Sequence, residues 1–329
     1  MKQQRGLLPE DEALGADNLR AKRYIAKKKP QYGIISVGAY LAMRKPNGLT
    51  VLGVADIRRA GGRKYHVVSK SVTSVSACKS LASNHALDSG RSSVDATLHH
   101  LRRVGLGTAG MADSADVAGP AWYEPGGIRV AHLSYTDLMN GRDLPTDPPW
   151  LVGHLDPAGV EADVAAAVSD GAEFVVVSIH WGEEYRIQPT DRQGLVAARL
   201  LASPDIDLLL GHHAHVVQQV LEIDGEYAVI GMGNFLSNQP GDERRSCRPE
   251  CPDSTQDGMI AWFAVADRPD GSVGVIDAGY VPTWVDRSTY EIVPIGVNDP
   301  PTVDASVLAE SAARTAAVVE PTLRRLDFD

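Results

Sequence analysis

Two short apolar runs, each ending in histidine, constrain the fold of this chain more than any other feature. They are Glu173-Phe-Val-Val-Val-Ser-Ile-His180 and Asp207-Leu-Leu-Leu-Gly-His-His-Ala-His215. A brief run without polar interruption, rich in β-branched residues, reads as a strand buried on both faces, as in a parallel sheet. Between the two lies a helix signal. Thr190 and Gln193 have capping-box spacing, and Leu195, Val196, Arg199, Leu200 and Leu201 follow. Upstream, Asp156-Pro157 opens another helix through Val160, Val164 and Val168, and Gly171 closes it. The order helix, strand, helix, strand is a βαβ unit. Open sheets of this kind place ligands at the carboxyl ends of their strands, where His180, His213 and His215 fall. On extended backbone, residues two apart share a face, so His213 and His215 project together. Imidazole suits zinc, iron, nickel and copper. Solvated loop histidines are the bland alternative for the second run alone; the nearby His180 weighs against it.

A third element, Ser80-Leu-Ala-Ser-Asn-His-Ala-Leu-Asp-Ser-Gly90, precedes an amphipathic helix with Val94, Leu98, Leu101 and Val104 on one side and Gly105 as its stop. Asn84, His85 and Asp88 at a loop-to-helix junction can ligate a cation, donate a proton and orient the donor. Alone they are ordinary turn and cap residues. With His180, His213 and His215 they become a constellation.

Five motifs carry a family resemblance. Ser80–Gly90, His132-Leu-Ser-Tyr-Thr136, Ser178-Ile-His-Trp-Gly-Glu-Glu-Tyr185, Gly211-His-His-Ala-His-Val-Val-Gln218 and Gly231-Met-Gly-Asn-Phe235 stand in order between about Cys78 and Ala266. Together they resemble the CapA family, the capsule and poly-γ-glutamate synthesis proteins with a calcineurin-like metallophosphoesterase fold. The resemblance implies a four-layer α/β/β/α sandwich. It implies divalent metal ions (manganese, iron or zinc) held by Asn84, His180, His213 and His215, with His85 as general acid. His212 ranks below its neighbours. Asp88 either orients His85 or is a carboxylate at a helix N-terminus. Asn234 reads as a turn or site-wall residue. Trp181, Glu184 and Tyr185 read as pocket lining, with Trp181 equally suited to the core. The implied function is a metal-dependent, phosphoesterase-type hydrolase in capsule or poly-γ-glutamate metabolism. The alternative is a non-catalytic accessory protein that binds polymer or a synthase partner. Whether the chain is an enzyme turns on whether the metal site is complete.

The first 77 residues depart from the family pattern, which opens with a strand ending in Gly-Asp and continues to an Asn-Leu-Glu-like segment. Neither is present here. The nearest candidate for the opening ligand is Asp56, at the end of Leu49-Thr-Val-Leu-Gly-Val-Ala-Asp56, only 27 residues before Ser83. The first βα units are therefore expected to be atypical or missing, with irregular packing or weak order before about residue 49 and only Leu49–Asp56 joining the sheet. Charge changes at the same point. Residues 1–77 carry 15 Lys/Arg against 5 Asp/Glu, whereas the whole chain has a net charge of −10. The division expected is a basic segment 1–77, a CapA-like domain 78–295 and a C-terminal helical tail 296–329. The basic segment is read as a solvated extension, with an arm toward an anionic polymer or membrane surface as the alternative.

A chain of 329 residues with 43% hydrophobic content can bury one large domain with a small appendage. No run approaches the ~18 apolar residues of a membrane span, and Met1–Glu12 lacks a signal-peptide core. As written, the chain reads as cytoplasmic, although members of the family are often exported or membrane-associated. An acidic main domain argues against nucleic acid; the expected ligands are an anionic polymer or a phosphoester. Cys247 and Cys251 fit a disulfide or free thiols equally well. Asp224-Gly225 and Pro269-Asp270-Gly271 mark hairpins. Residues 303–323 read as a helix packing on the outside, and the 239–255 loop as an overhang to the site.

Overall fold

The computed structural model describes residues 40–45, 48–52 and 78–326, except 104, 142, 144, 146, 236, 238, 240–250, 290 and 298. In chain order, strands β1 (Tyr40–Lys45), β2 (Gly48–Leu52) and β3 (Cys78–Ser80) precede helix α1 (Arg91–Arg103). Then come β4 (Gly107–Ala109), β5 (Ala121–Tyr123), β6 (Val130–Thr136), helix α2 (Pro157–Ser169), β7 (Phe174–His180) and helix α3 (Asp191–Leu201). The remainder is β8 (Leu208–His212), β9 (Val220–Ile223), β10 (Glu226–Val229), β11 (Asp257–Asp267), β12 (Val273–Asp286), β13 (Glu291–Pro294), helix α4 (Ala305–Val319) and β14 (Arg324–Arg325).

These elements make the α/β fold that the sequence predicts. One six-stranded sheet has the order β5-β6-β7-β8-β10-β9, with β6, β7, β8 and β10 parallel. A second six-stranded sheet has β13-β12-β11-β1-β2 along its path and β14 beside β12. The parallel strands are buried on both faces. Val130, Phe174, Val176, Leu208 and Leu210 meet Met259, Ala261, Phe263 and Val265 of the second sheet. The alternate residues Ala131, Leu133, Val175, Val177, Ile179 and Leu209 meet Val160 and Val164 of α2 and Val196, Ala197 and Leu200 of α3. Burial on both faces explains why β7 and β8 read as continuous apolar runs rather than alternating ones.

Local signals account for the helix ends. The Asp156 side chain accepts from Gly159 N, and Pro157 occupies the first turn of α2, where its missing N–H costs nothing. The reciprocal capping box at Thr190 and Gln193 starts α3. Asp224 (φ 55°) and Gly225 (φ 90°) turn the β9–β10 hairpin through left-handed conformations, as a two-residue hairpin requires.

One expectation needs correction. Pairing begins before residue 49: Tyr40–Lys45 lies parallel to β11, and Gly48–Leu52 pairs antiparallel with it on the outside. Hairpin-forming residues at 46–48 (Pro-Asn-Gly) signal this arrangement, and the reading by apolar runs alone passed over them. Asp56 lies outside the described residues. The C-terminal helix buries one face and leaves the other exposed. Its Leu308 and Ala312 pack on Val293, Ile295 and Trp284, while Val319 and the following Leu323 enter the inter-sheet core. A bidentate Arg314–Asp257 pair (2.6 and 2.9 Å) and a Ser311–Asp257 bond of 2.6 Å anchor it to β11. Cys251 is disulfide-bonded and Cys247 lies outside the described residues.

Candidate metal centre

The inter-sheet face of the first sheet changes character along its length. Toward the carboxyl ends the inward residues become His132, Ser134 and Thr136 on β6, Ser178 and His180 on β7, and His212 on β8. The register aligns Thr136 with His180 and His180 with His212. His132 Nε2 and Ser178 Oγ are 2.8 Å apart, and Ser80 Oγ and Ser134 Oγ 2.7 Å, so this polar band is internally bonded.

Beyond β8 the chain turns sharply, with His213 at φ 96° and His215 at φ 59°. Left-handed backbone at a bulky residue costs of order 1–3 kcal/mol and persists where the surroundings enforce it, which is common at functional sites. Here Trp181 N donates to His212 O and Tyr185 N to Ala214 O, at 3.2 and 2.7 Å. Gly211 is required because a Cβ there would collide with the Ile230 carbonyl. Trp181 is core: it is 1% exposed and donates its indole N–H to that same carbonyl. The following loop is strapped from below. Gln193 Nε2 donates to Gln218 Oε1 at 3.0 Å, and Gln218 Nε2 donates to Arg186 O at 2.8 Å.

Two donor sets result. In the first, Asn84 Nδ2 donates to Asn140 Oδ1 (2.9 Å), which turns Asn84 Oδ1 toward His180 Nε2, also at 2.9 Å. Two ligand atoms bound at right angles to one cation at ~2.1 Å would lie about 3 Å apart, so this pair has the span of a chelate. In the second, ligand atoms of Glu184, His213 and His215 lie within 4.8 Å of one another. The His180 and His213 rings, 4.8 Å apart between centroids, join the sets. Beside the first set, His85 Nδ1 contacts Asp88 Oδ2 at 2.7 Å, and this pair is about 30% exposed. The Asn140 amide nitrogen lies 3.1 and 3.3 Å from the two ring nitrogens of His85.

Electrostatics put these groups in ligand form. Burial pushes the His213 imidazole down to about 4, with His215 adding to the effect. Burial, with His213 next, holds His180 well below the usual histidine value. The neighbouring His215 is the main cause that brings Glu184 down to about 2. Neutral imidazoles beside an ionised carboxylate are the state a divalent cation requires. His213 Nδ1 is buried without a hydrogen-bond partner, an atom that a cation would serve.

The structure thus brings Asn84, His85, Asp88, His180, His213 and His215 to one cleft at the strand ends. His212 instead faces the inter-sheet band, 9% exposed. Sequence reasoning left out Asn140, four residues past the end of β6; the strand-end rule applied to β6 would have found it. It also took Glu184 only as lining.

The family of bacterial capsule synthesis proteins PGA_cap matches residues 71–239, just over half of the chain. The chain is 29% identical over 170 residues to the PGA biosynthesis protein CapA of Bacillus subtilis, which covers 48% of this chain and 42% of that one. It is 30% identical over 163 residues to the capsule biosynthesis protein CapA of Bacillus anthracis, covering 48% and 39%. The match thus spans about two fifths of the length of these relatives. Among solved structures, sulfate thiohydrolase SoxB of Thermus thermophilus is similar at 15% identity with a TM-score of 0.36, over 68% of this chain and 34% of that one. No helix among the described residues is long and apolar enough to cross a membrane. By the match over residues 71–239 and its agreement with two curated relatives, this chain belongs to the PGA_cap family of bacterial capsule synthesis proteins.

Proposed function

We propose that the chain is a metal-dependent hydrolase of phosphoesters that serves capsule or poly-γ-glutamate production. The observation that carries this reading is the meeting of two candidate ligand sets, Asn84/His180 and Glu184/His213/His215, in one cleft where burial disfavours the charged forms of His180 and His213. Divalent cations bound there, whether manganese, iron or zinc, supply Lewis acidity toward a phosphoryl oxygen and acidify a bound water. The protein's own residues do the rest. Asn84 and His180 fix one side of the cleft, and the strained His213–His215 turn fixes the other. His85, with Nδ1 against Asp88 and the Asn140 amide beside its ring, is the group that hands a proton to the leaving oxygen, a role typically worth a factor of ~10²–10⁴. Asp56, outside the described residues, is the candidate for the opening carboxylate of the family pattern.

The test compares wild-type protein with a His213→Ala/His215→Ala variant, by elemental analysis and by hydrolysis of p-nitrophenyl phosphate and its diester. Bound divalent metal and hydrolysis in the wild type, both lost in the variant, support the reading. A metal-loaded wild type that hydrolyses neither ester but retains poly-γ-glutamate on a column would favour the accessory-protein alternative.

A further inference from the structure

The cleft has a feature that its ligand atoms alone do not explain. His215 Nε2 lies 3.7 Å from Glu184 Oε1, and the imidazole is stacked on Tyr185 at 5.8 Å with 25° between the planes. Whether Nε2 presents a proton or a lone pair to that carboxylate depends on the tautomer, and the tautomer is set on the other side of the ring. There His215 Nδ1 lies 3.0 Å from Asn234 Oδ1.

The orientation of Asn234 follows from its other partners. Its second amide atom is 2.9 Å from the carbonyl oxygen of Thr255, which can only accept. That atom is therefore the NH₂ group, and the atom facing His215 is the oxygen. An amide oxygen can only accept, so His215 Nδ1 carries the proton and Nε2 is left with its lone pair. The other Asn234 N–H donates to Gln239 Oε1 at 3.1 Å, and Gln239 Nε2 donates onward to Tyr185 Oη at 3.1 Å. Every donor in this chain points the same way. Tyr185 Oη accepts from Gln239 and so directs its own proton elsewhere; it also hydrogen-bonds Glu184. Asn234 is 1% exposed, so water does not compete for these bonds. The consequence is two acceptors, Nε2 and Oε1, held facing each other across a gap that a cation fills.

We infer that Asn234, Gln239 and Tyr185 form a directional amide relay that commits His215 to bind metal through Nε2 and holds Glu184 opposite it as a ligand. Asn234 is thus a positioning residue: it acts through His215 and touches no substrate. Groups bonded to the far nitrogen of a metal-bound histidine typically contribute 10–100-fold in affinity. The inference rests on the metal-binding reading above and adds which atom of His215 binds and what selects it.

The test uses the full chain in two arms. In the metal-free protein, long-range ¹H–¹⁵N correlation of the imidazoles reads the His215 tautomer directly at pH 8. A proton on Nδ1 is expected; a proton on Nε2 with none on Nδ1 overturns the inference. The second arm measures zinc affinity by competition with a chelating dye. Asn234→Leu should weaken zinc binding 10–100-fold and shift His215 to the Nε2–H form. Asn234→Asp keeps an acceptor against Nδ1 and should stay within a few fold of wild type. An unchanged affinity in Asn234→Leu, or an Asn234→Asp variant as weak as Asn234→Leu, overturns it. A wild type that binds no zinc defeats the proposed function, while the tautomer arm still decides this inference.

Discussion

The two ends of the central sheet bury ionisable groups in opposite ways. At the amino ends, Asp207 accepts from Val175 N at 2.6 Å, and Arg268 pairs with Glu226 at 2.9 Å while also reaching the Gly225 carbonyl. Asp207 meets a backbone donor there and Glu226 an opposite charge, and none of these residues has a left-handed φ apart from the hairpin glycine Gly225. At the carboxyl ends, His180 and His213 are half-buried beside other histidines, His213 Nδ1 has no partner, and the backbone at His213 and His215 is strained. Burial is common to both ends, so burial does not mark the site. Clustered imidazoles and left-handed backbone do.

The largest expected effect sharpens that contrast. His213→Gly removes an imidazole from a position whose φ of 96° suits glycine. It should abolish metal binding while raising the melting temperature of the metal-free protein. A fall in that temperature would show that the turn is not strained. A smaller effect concerns the strap beneath the site. Gln218→Leu leaves the Arg186 carbonyl and the Gln193 amide without their partners, costing about 1–3 kcal/mol of stability. Zinc affinity should also fall, because Glu184 and Tyr185 ride on the strapped loop. Thermal denaturation and dye competition check both parts, and an unchanged affinity would reduce the strap to a folding element.

A third effect is at the opposite end. Burial pushes the Asp207 carboxyl up to about 8, with Glu226 and Asp205 adding to the rise and the Val175 N–H and Arg268 opposing it. Its unfolded value is about 3.9. Between these values the unfolded chain is ionised at this site and the folded one protonated, so the unfolded chain binds fewer protons. Stability then falls as pH rises from about 4 to about 8 and is level beyond both limits. Asp207→Asn should remove that slope, so its stability gain over wild type should grow across the window. A gain that is flat with pH in urea denaturation would mean that Asp207 is ionised in the folded protein.

Much of this was legible in the sequence because it is local or periodic. The β7 and β8 runs, the Asp156 and Thr190 caps and the Asp224-Gly225 turn each depend on neighbours within a few residues. His180, His213 and His215 followed from strand ends, and Asn84, His85 and Asp88 from one loop. What escaped is carried by long-range pairing. Asn140 matters because it bonds Asn84, 56 positions away, and Gln218 because Gln193 faces it. Asn234 reads from sequence only as a turn or site-wall residue, because its partners, His215 and Thr255, are fixed only when β8 and β11 are in place. The β1–β2 hairpin was missed for a different reason, since turn residues at 46–48 were given less weight than the apolar run that follows.

The central claim is that this cleft binds divalent metal through its histidines. X-ray absorption at the zinc edge of the zinc-loaded protein tests it most directly, because imidazole ligands give a distinct multiple-scattering pattern. The account predicts about two to three imidazoles among nitrogen and oxygen ligands at ~2.0–2.2 Å, with that pattern lost in His213→Ala/His215→Ala. Oxygen-only coordination in the wild type, or an unchanged spectrum in the variant, would contradict it.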